Sequence, residues 1–182
     1  GILYYYPNVE NIKDGSFFKA DICVSLLNDN LVKAENCEYV TFRNLIFENT
    51  SGDGVTMSKI KNCSIEGCIA RNIPGAGLSM HDGCYNRVHG CDVYNIGTVG
   101  VSMTGGDRET LTHSNSEVTN CRIFKTGQIR RTGWGCVESS GCGIRVANNE
   151  LFSVPSVAFQ PHQSNENIIE YNEVYDGLED GL

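Results

Sequence analysis

Apolar and polar residues alternate along much of this chain, in short runs that recur about every 23 residues. The segments Val40–Met57, Cys63–Met80 and Asn86–Met103 share one plan. An alternating apolar first half passes through a polar turn. Each segment then closes as Gly-apolar-polar-Met: Gly54-Val55-Thr56-Met57, Gly77-Leu78-Ser79-Met80 and Gly100-Val101-Ser102-Met103. Alternation of period two predicts strands rather than helices. A fixed period of this length predicts a solenoid or array.

The repeat runs on past these three segments. With Cys68 as reference, one position recurs as Leu45, Cys68, Cys91, Cys121, Asn149 and Asn172, at intervals of 23, 23, 30, 28 and 23. Three residues before each lies an apolar column: Phe42, Ile65, Val88, Val118, Val146 and Ile169. Two residues after each lies another: Phe47, Ala70, Val93, Ile123, Leu151 and Val174. Strands repeating at this interval can stack in parallel at about 4.8 Å, each hydrogen-bonded to the unit above and below. The pattern therefore predicts an all-β fold, a single-stranded right-handed parallel β-helix of about 23 residues per coil. A leucine-rich repeat fits less well, because its leucine spacing is absent and no unit contains an amphipathic helical stretch. One domain over 1–182 is expected, with lead-in strands over 1–36 and regular coils over 37–182. Insertions are expected near 104–116 and 126–135. The chain starts at Gly1 rather than Met and stops at Glu179-Asp180-Gly181-Leu182, so a piece of a longer β-helix is expected.

Composition sharpens this picture in two places. The net charge is −8 and the fourteen basic residues are scattered, apart from Arg130-Arg131. Nucleic acid needs a basic patch and is not expected as a partner; no run is long enough to cross a bilayer. The nine cysteines could suggest disulfides. Yet Cys68, Cys91 and Cys121 fall in one strand-end column that continues as Asn149 and Asn172, which predicts reduced thiols acting as small buried hydrophobes.

Function usually sits where a regular scaffold is interrupted. The longer intervals carry Thr104–His113 and Gln128–Gly135, in successive units, and both are expected on one side of the stack. They would bring together Asp107, Arg108 and the only Trp, Trp134. His81 and Asp82 follow Met80, Glu138 lies just past Trp134, and His162 falls in a later unit. An aromatic face, charged groups and carboxylates suit a carbohydrate. Asp180 shares its column with Asp53, Ala76 and Val99, where a turn acid before glycine is also common. His81, Cys84, His89 and Cys91 have zinc-ligand chemistry, but their spacing matches no usual zinc pair and Cys91 belongs to the internal column.

The run Gly105-Gly106-Asp107-Arg108-x-Thr110-Leu111-Thr112 resembles right-handed parallel β-helix proteins of the glycoside hydrolase family 141 type. So do Gly141–Glu150 and Ile168–Val174, and the opening Leu3-Tyr4-Tyr5-Tyr6-Pro7 is similar to the segment that leads into their helix. The resemblance implies hydrolysis of polysaccharide glycosides by paired carboxylates, without cofactor or metal. It carries over Asp107. On this reading the acids come from Asp107, Glu138 and Asp180, while His81, Asp82, Arg108, Trp134 and His162 bind the sugar. A polysaccharide or oligosaccharide substrate implies an extracellular or periplasmic parent protein. Two other readings of the scaffold stay open: a polysaccharide lyase or epimerase, and a non-catalytic glycan-binding or adhesin-like stem.

Overall fold

The computed structural model describes residues 23–154 and 156–177. Among these there are eighteen strands and no helix. Three sheets of six strands run the length of the stack. Sheet 1 contains β1 (Val32–Glu35), β4 (Val55–Ser58), β7 (Leu78–Gly83), β10 (Val101–Gly105), β13 (Gly135–Cys142) and β16 (Val157–Asn165). Sheet 2 contains β2 (Thr41–Arg43), β5 (Ser64–Glu66), β8 (Arg87–His89), β11 (Ser116–Thr119), β14 (Ile144–Ala147) and β17 (Ile168–Glu170). Sheet 3 contains β3 (Ile46–Glu48), β6 (Ile69–Ile73), β9 (Asp92–Ile96), β12 (Arg122–Phe124), β15 (Glu150–Val154) and β18 (Glu173–Gly177). Each coil gives one strand to each sheet, and neighbouring coils pair in parallel. This is the parallel β-helix that the repeat predicts. β1 already pairs with β4, so regular stacking starts before residue 37.

The register follows the repeat. Phe42, Ile65, Val88, Val118, Val146 and Ile169 are successive partners in sheet 2. Phe47, Ala70, Val93, Ile123, Leu151 and Val174 are successive partners in sheet 3. Met57, Met80 and Met103 align in sheet 1 and are fully buried. The glycine before each of these strands has a local cause. A Cβ on Gly54 would lie 2.4 Å from the Gly77 carbonyl oxygen, and one on Gly77 would lie 2.5 Å from that of Gly100. Only glycine lets consecutive coils approach so closely there.

The tight corner between sheets 2 and 3 turns on one left-handed residue per coil: Asn44, Gly67, Gly90, Asn120, Asn148 and Tyr171. Asn and Gly tolerate this conformation best. The residue after each is the cysteine–asparagine column, and both side chains do the same work. Asn149 Nδ2 donates to the Val118 carbonyl at 2.9 Å, and its Oδ1 accepts the Cys121 N–H at 2.9 Å. Asn172 Nδ2 bonds Val146 O in the same way. One level down, the Cys68 thiol lies 3.6 Å from Phe42 O and the Cys91 thiol 3.5 Å from Ile65 O. These thiols are donors to the coil beneath as well as small apolar groups. All nine cysteines are free.

Outside, like meets unlike. On sheet 2, Glu66 is bonded by both Arg43 and Arg87, and Arg145 bridges Glu117 and Glu170. On sheet 3, the rings of Tyr94, Phe124, Phe152 and Tyr175 stack at 4.6–5.0 Å.

Two outcomes follow. Asn149→Ala leaves the buried Cys121 N–H without its acceptor and removes one donor from Val118 C=O, and is expected to cost about 1–3 kcal/mol in urea unfolding. Hydrogen bonds from Arg87 and Arg43 hold Glu66 down to about 2. Its folded pKa lies below the unfolded value, so its contribution is present above the ordinary carboxylate pKa and lost as pH falls toward 2. Thermal scans against pH are expected to show wild type above Glu66→Gln at neutral pH, with the two converging in acid.

Candidate active site

The outward positions of sheet 1 alternate with the buried methionines and valines, and they too form columns. Lys33, Thr56, Ser79, Ser102, Glu138 and Gln160 are successive partners. Two residues on, Ser58 pairs with His81, and Thr104, Ser140 and His162 pair in turn. Thr104 Oγ1 lies 3.4 Å from His81 Nδ1 and joins the two series. Short hydroxyl side chains thus floor a polar lane along the stack, with His81, Glu138 and His162 standing in it.

A cleft of about 550 Å³ opens on this lane, lined by Asp53, Ser79, His81, Ser102, Glu138 and residues of the longer connection before β13. That connection, residues 125–134, folds back over the coil beneath. The N–H groups of Ile129 and Arg130 both donate to Gly97 O at 3.0 Å. This carries Ile129, Arg130 and Trp134 to the cleft wall, where the Arg130 guanidinium lies over the Trp134 ring, 5.7 Å from its centroid. Among the described residues no carboxylate is ion-paired with Arg130.

Burial shifts two of the titratable groups in the lane, Glu138 and His81. It raises the Glu138 carboxyl above its ordinary value, with His162 pulling the other way. It lowers His81, with Asp82 and Asp53 opposing. His162 lies diagonally across from Glu138, one coil on, at a separation long side chains can span. Gln160, directly opposite Glu138, has its Oε1 buried with no hydrogen-bond partner among the described residues. A buried acceptor left open in this way is costly unless a ligand or water fills it.

The other longer connection, residues 106–115, emerges at the far end of the sheet 1 strands. It borders a separate cleft of about 500 Å³ lined by Asp82, Thr104, Asp107, Arg108, Glu109 and Ser140. The expectation that both insertions share one side is therefore corrected. One leaves before β13 and the other after β10, so they flank sheet 1 at opposite ends of its strands. The division reaches neighbouring residues: a bulge in β7 at Asp82 (φ 55°) sends His81 and Asp82 to different clefts. Asp107 is occupied within its own loop. Its Oδ1 accepts the N–H groups of Glu109 at 2.8 Å and Thr110 at 3.4 Å, which hold its carboxyl below the usual range. Arg108 Nε donates to Asn165 Oδ1 at 2.9 Å. Asp180 lies outside the described residues.

The structure thus gathers His81, Glu138 and Trp134, sets His162 beside them, and leaves Asp82, Asp107 and Arg108 elsewhere. Gln160 and the hydroxyl lane were missed in the sequence, and Arg130 was placed in the second insertion without being singled out. The lane was legible in principle, since Thr56, Ser79 and Ser102 recur in the Gly-apolar-polar-Met motif.

Residues 11–174 match the family described as right handed beta helix region. No curated protein matches the chain. Among solved structures, the periplasmic alginate epimerase AlgG has a TM-score of 0.65 at 9% identity, over 81% of this chain and 36% of its own. The A-module of the Azotobacter vinelandii mannuronan C-5 epimerase AlgE6 has a TM-score of 0.45 at 9% identity, over 86% and 57%. The chain spans about a third of the first and just over half of the second. These likenesses concern the fold, and the family match does not single out glycoside hydrolase family 141.

The raised Glu138 gives a pH-dependent signature. Its folded pKa lies above the unfolded value, so ionising it costs stability as pH rises. Glu138→Gln is expected to raise Tm at neutral pH relative to wild type, and the gain is expected to vanish below the ordinary carboxylate pKa.

Proposed function

The chain belongs to the right-handed β-helix family, and on that scaffold we propose that the sheet 1 cleft acts on a polysaccharide, transferring a proton at the carbon beside a uronate carboxylate. The observation that carries this is the half-buried Glu138 facing a hydroxyl-floored lane beside Arg130, Trp134 and the unpartnered Gln160 Oε1. Trp134 offers a face for a sugar ring. Arg130 supplies the cation that a uronate carboxylate needs before its neighbouring C–H can ionise. Glu138, with a pKa lifted toward working pH, suits proton exchange, and His162 is the second proton-transfer group on the diagonal. His81 binds a neighbouring sugar. Removal of that proton is the first step shared by epimerases and lyases. Its return to the opposite face inverts the centre; departure of the adjacent glycosidic oxygen cleaves the chain and leaves an unsaturated sugar. The fold shared with AlgG, itself an alginate epimerase, supports this branch of chemistry over hydrolysis. An extracellular or periplasmic setting goes with such a substrate.

Hydrolysis by paired carboxylates has less support. Asp107 lies in the other cleft with its carboxylate engaged. Asp53 lines the cleft with Glu138, but it precedes β4, three coils from β13, or roughly 14 Å at the usual strand spacing. An inverting pair needs roughly 6.5–9.5 Å.

Incubation with a panel of polyuronates in deuterated buffer tests the proposal. The expected result is deuterium at the carbon beside the carboxylate, with or without ultraviolet-absorbing unsaturated ends. Glu138→Gln is expected to lower kcat by about 10²-fold or more with little change in KM, while Asp107→Asn leaves both nearly unchanged. New reducing ends on neutral glycans without deuterium uptake would turn the reading to hydrolysis, and binding without turnover would make the protein a glycan-binding stem.

A further inference from the structure

Three side chains from three successive coils converge at the corner between sheets 1 and 2, away from the cleft that holds Glu138. His113 lies near the end of the 106–115 connection, Cys142 ends β13, and Glu166 follows β16. His113 Nε2 and Glu166 Oε2 are in direct contact. One ring nitrogen of His113, the Cys142 Sγ and a Glu166 carboxylate oxygen all lie within 4.8 Å of one another. The thiol is buried, while the imidazole and carboxylate are exposed.

The backbone is shaped to permit this. Gly143 sits between these levels in the left-handed region, at φ 66°. A Cβ there would fall 2.4 Å from His113 Cγ and 2.8 Å from its Nδ1. The imidazole therefore occupies the space that a side chain would fill, and lies flat across the coil toward Glu166. Glu166 is itself left-handed, at φ 52°, which suits glycine or asparagine better than a carboxylate-bearing residue. A second tie runs alongside, from Arg108 Nε to Asn165 Oδ1.

We infer that His113, Cys142 and Glu166 form a site for a borderline-soft divalent transition metal, Zn²⁺ by donor chemistry, with the fourth position open to solvent. Thiolate, imidazole and carboxylate together suit zinc better than calcium or magnesium. On binding, the Cys142 thiol loses its proton to water, the sulfur and the ring nitrogen each donate a lone pair, and the carboxylate gives up its contact with the imidazole. The metal then staples the 106–115 connection to the two coils above it. This role is separate from the polysaccharide chemistry. Sequence spacing does not reveal it, since the ligands are 29 and 24 residues apart and match no local zinc pattern.

Titration with Co²⁺ as a spectroscopic probe, then with Zn²⁺, tests the site. One equivalent of Co²⁺ is expected to give tetrahedral visible bands and an ultraviolet thiolate charge-transfer band, releasing about one proton near neutral pH. Zn²⁺ is expected to displace it and, at about 100-fold over Kd, to raise Tm by roughly 5–10 °C. Cys142→Ala is expected to abolish the charge-transfer band. Because Cys142 is buried, the exposed variants His113→Ala and Glu166→Gln provide independent checks, each expected to weaken binding at least tenfold without changing the circular dichroism of the metal-free protein. Absence of stoichiometric binding, or a charge-transfer band that persists in Cys142→Ala, would overturn the assignment. So would affinity unchanged in both exposed variants.

Discussion

Everything in this molecule depends on one constraint: each coil must hydrogen-bond to the next in register. The strands of a coil do not pair with one another. They find their backbone partners one coil above and one below, so a residue's nearest lateral neighbour is its equivalent in the next repeat. Side chains consequently interact as columns. Apolar columns fill the interior, and Met57, Met80 and Met103 stack there as closely as their backbones allow. A charged column of one sign would repel itself on the outside. The chain alternates sign instead, as the column Arg87, Glu117 and Arg145 shows, so many of its acids are paired with arginines across coils. The net charge of −8 therefore understates how neutral the faces of sheets 2 and 3 are.

The same constraint explains where chemistry can appear. A regular coil offers only what its columns repeat, and on sheet 1 these are mostly short hydroxyls. Glu138 and Gln160 interrupt the Thr56, Ser79 and Ser102 column just where the longer connection before β13 builds a wall. That connection is fixed by backbone bonds to Gly97, so Arg130 and Trp134 are carried on a main chain of defined position. Partial burial of Glu138 beneath this wall is what shifts its proton affinity. Position and reactivity thus have one origin.

The fold was legible because a solenoid writes its register into the sequence. Both apolar columns, the glycine positions and the cysteine–asparagine corner were read at the correct residues, since an interior one side chain wide tolerates no slippage. The site was legible only in part. The intervals of 30 and 28 residues reveal that two coils are longer, but length alone does not say at which of three corners the extra residues leave. Asp107 and Trp134 were grouped for that reason, and the strands separate them. Asp107 also illustrates a limit of motif reading. In the Gly-Gly-Asp-Arg turn its carboxylate caps the N–H groups of Glu109 and Thr110, a local role that the motif does not distinguish from a catalytic one.

A linear lane also constrains what can bind. Successive outward side chains of one column are separated by the coil rise, about 4.8 Å, a length close to that of one sugar in an extended glycan. A polymer laid along the stack would meet the same hydroxyl environment at each sugar, and it would be distinguished only where the column changes. His81, Glu138 and His162 lie at such changes, on three different coils. A compact ligand could touch at most two of them. An extended chain running parallel to the solenoid axis would engage all three, which is the arrangement that the polysaccharide reading proposed above requires.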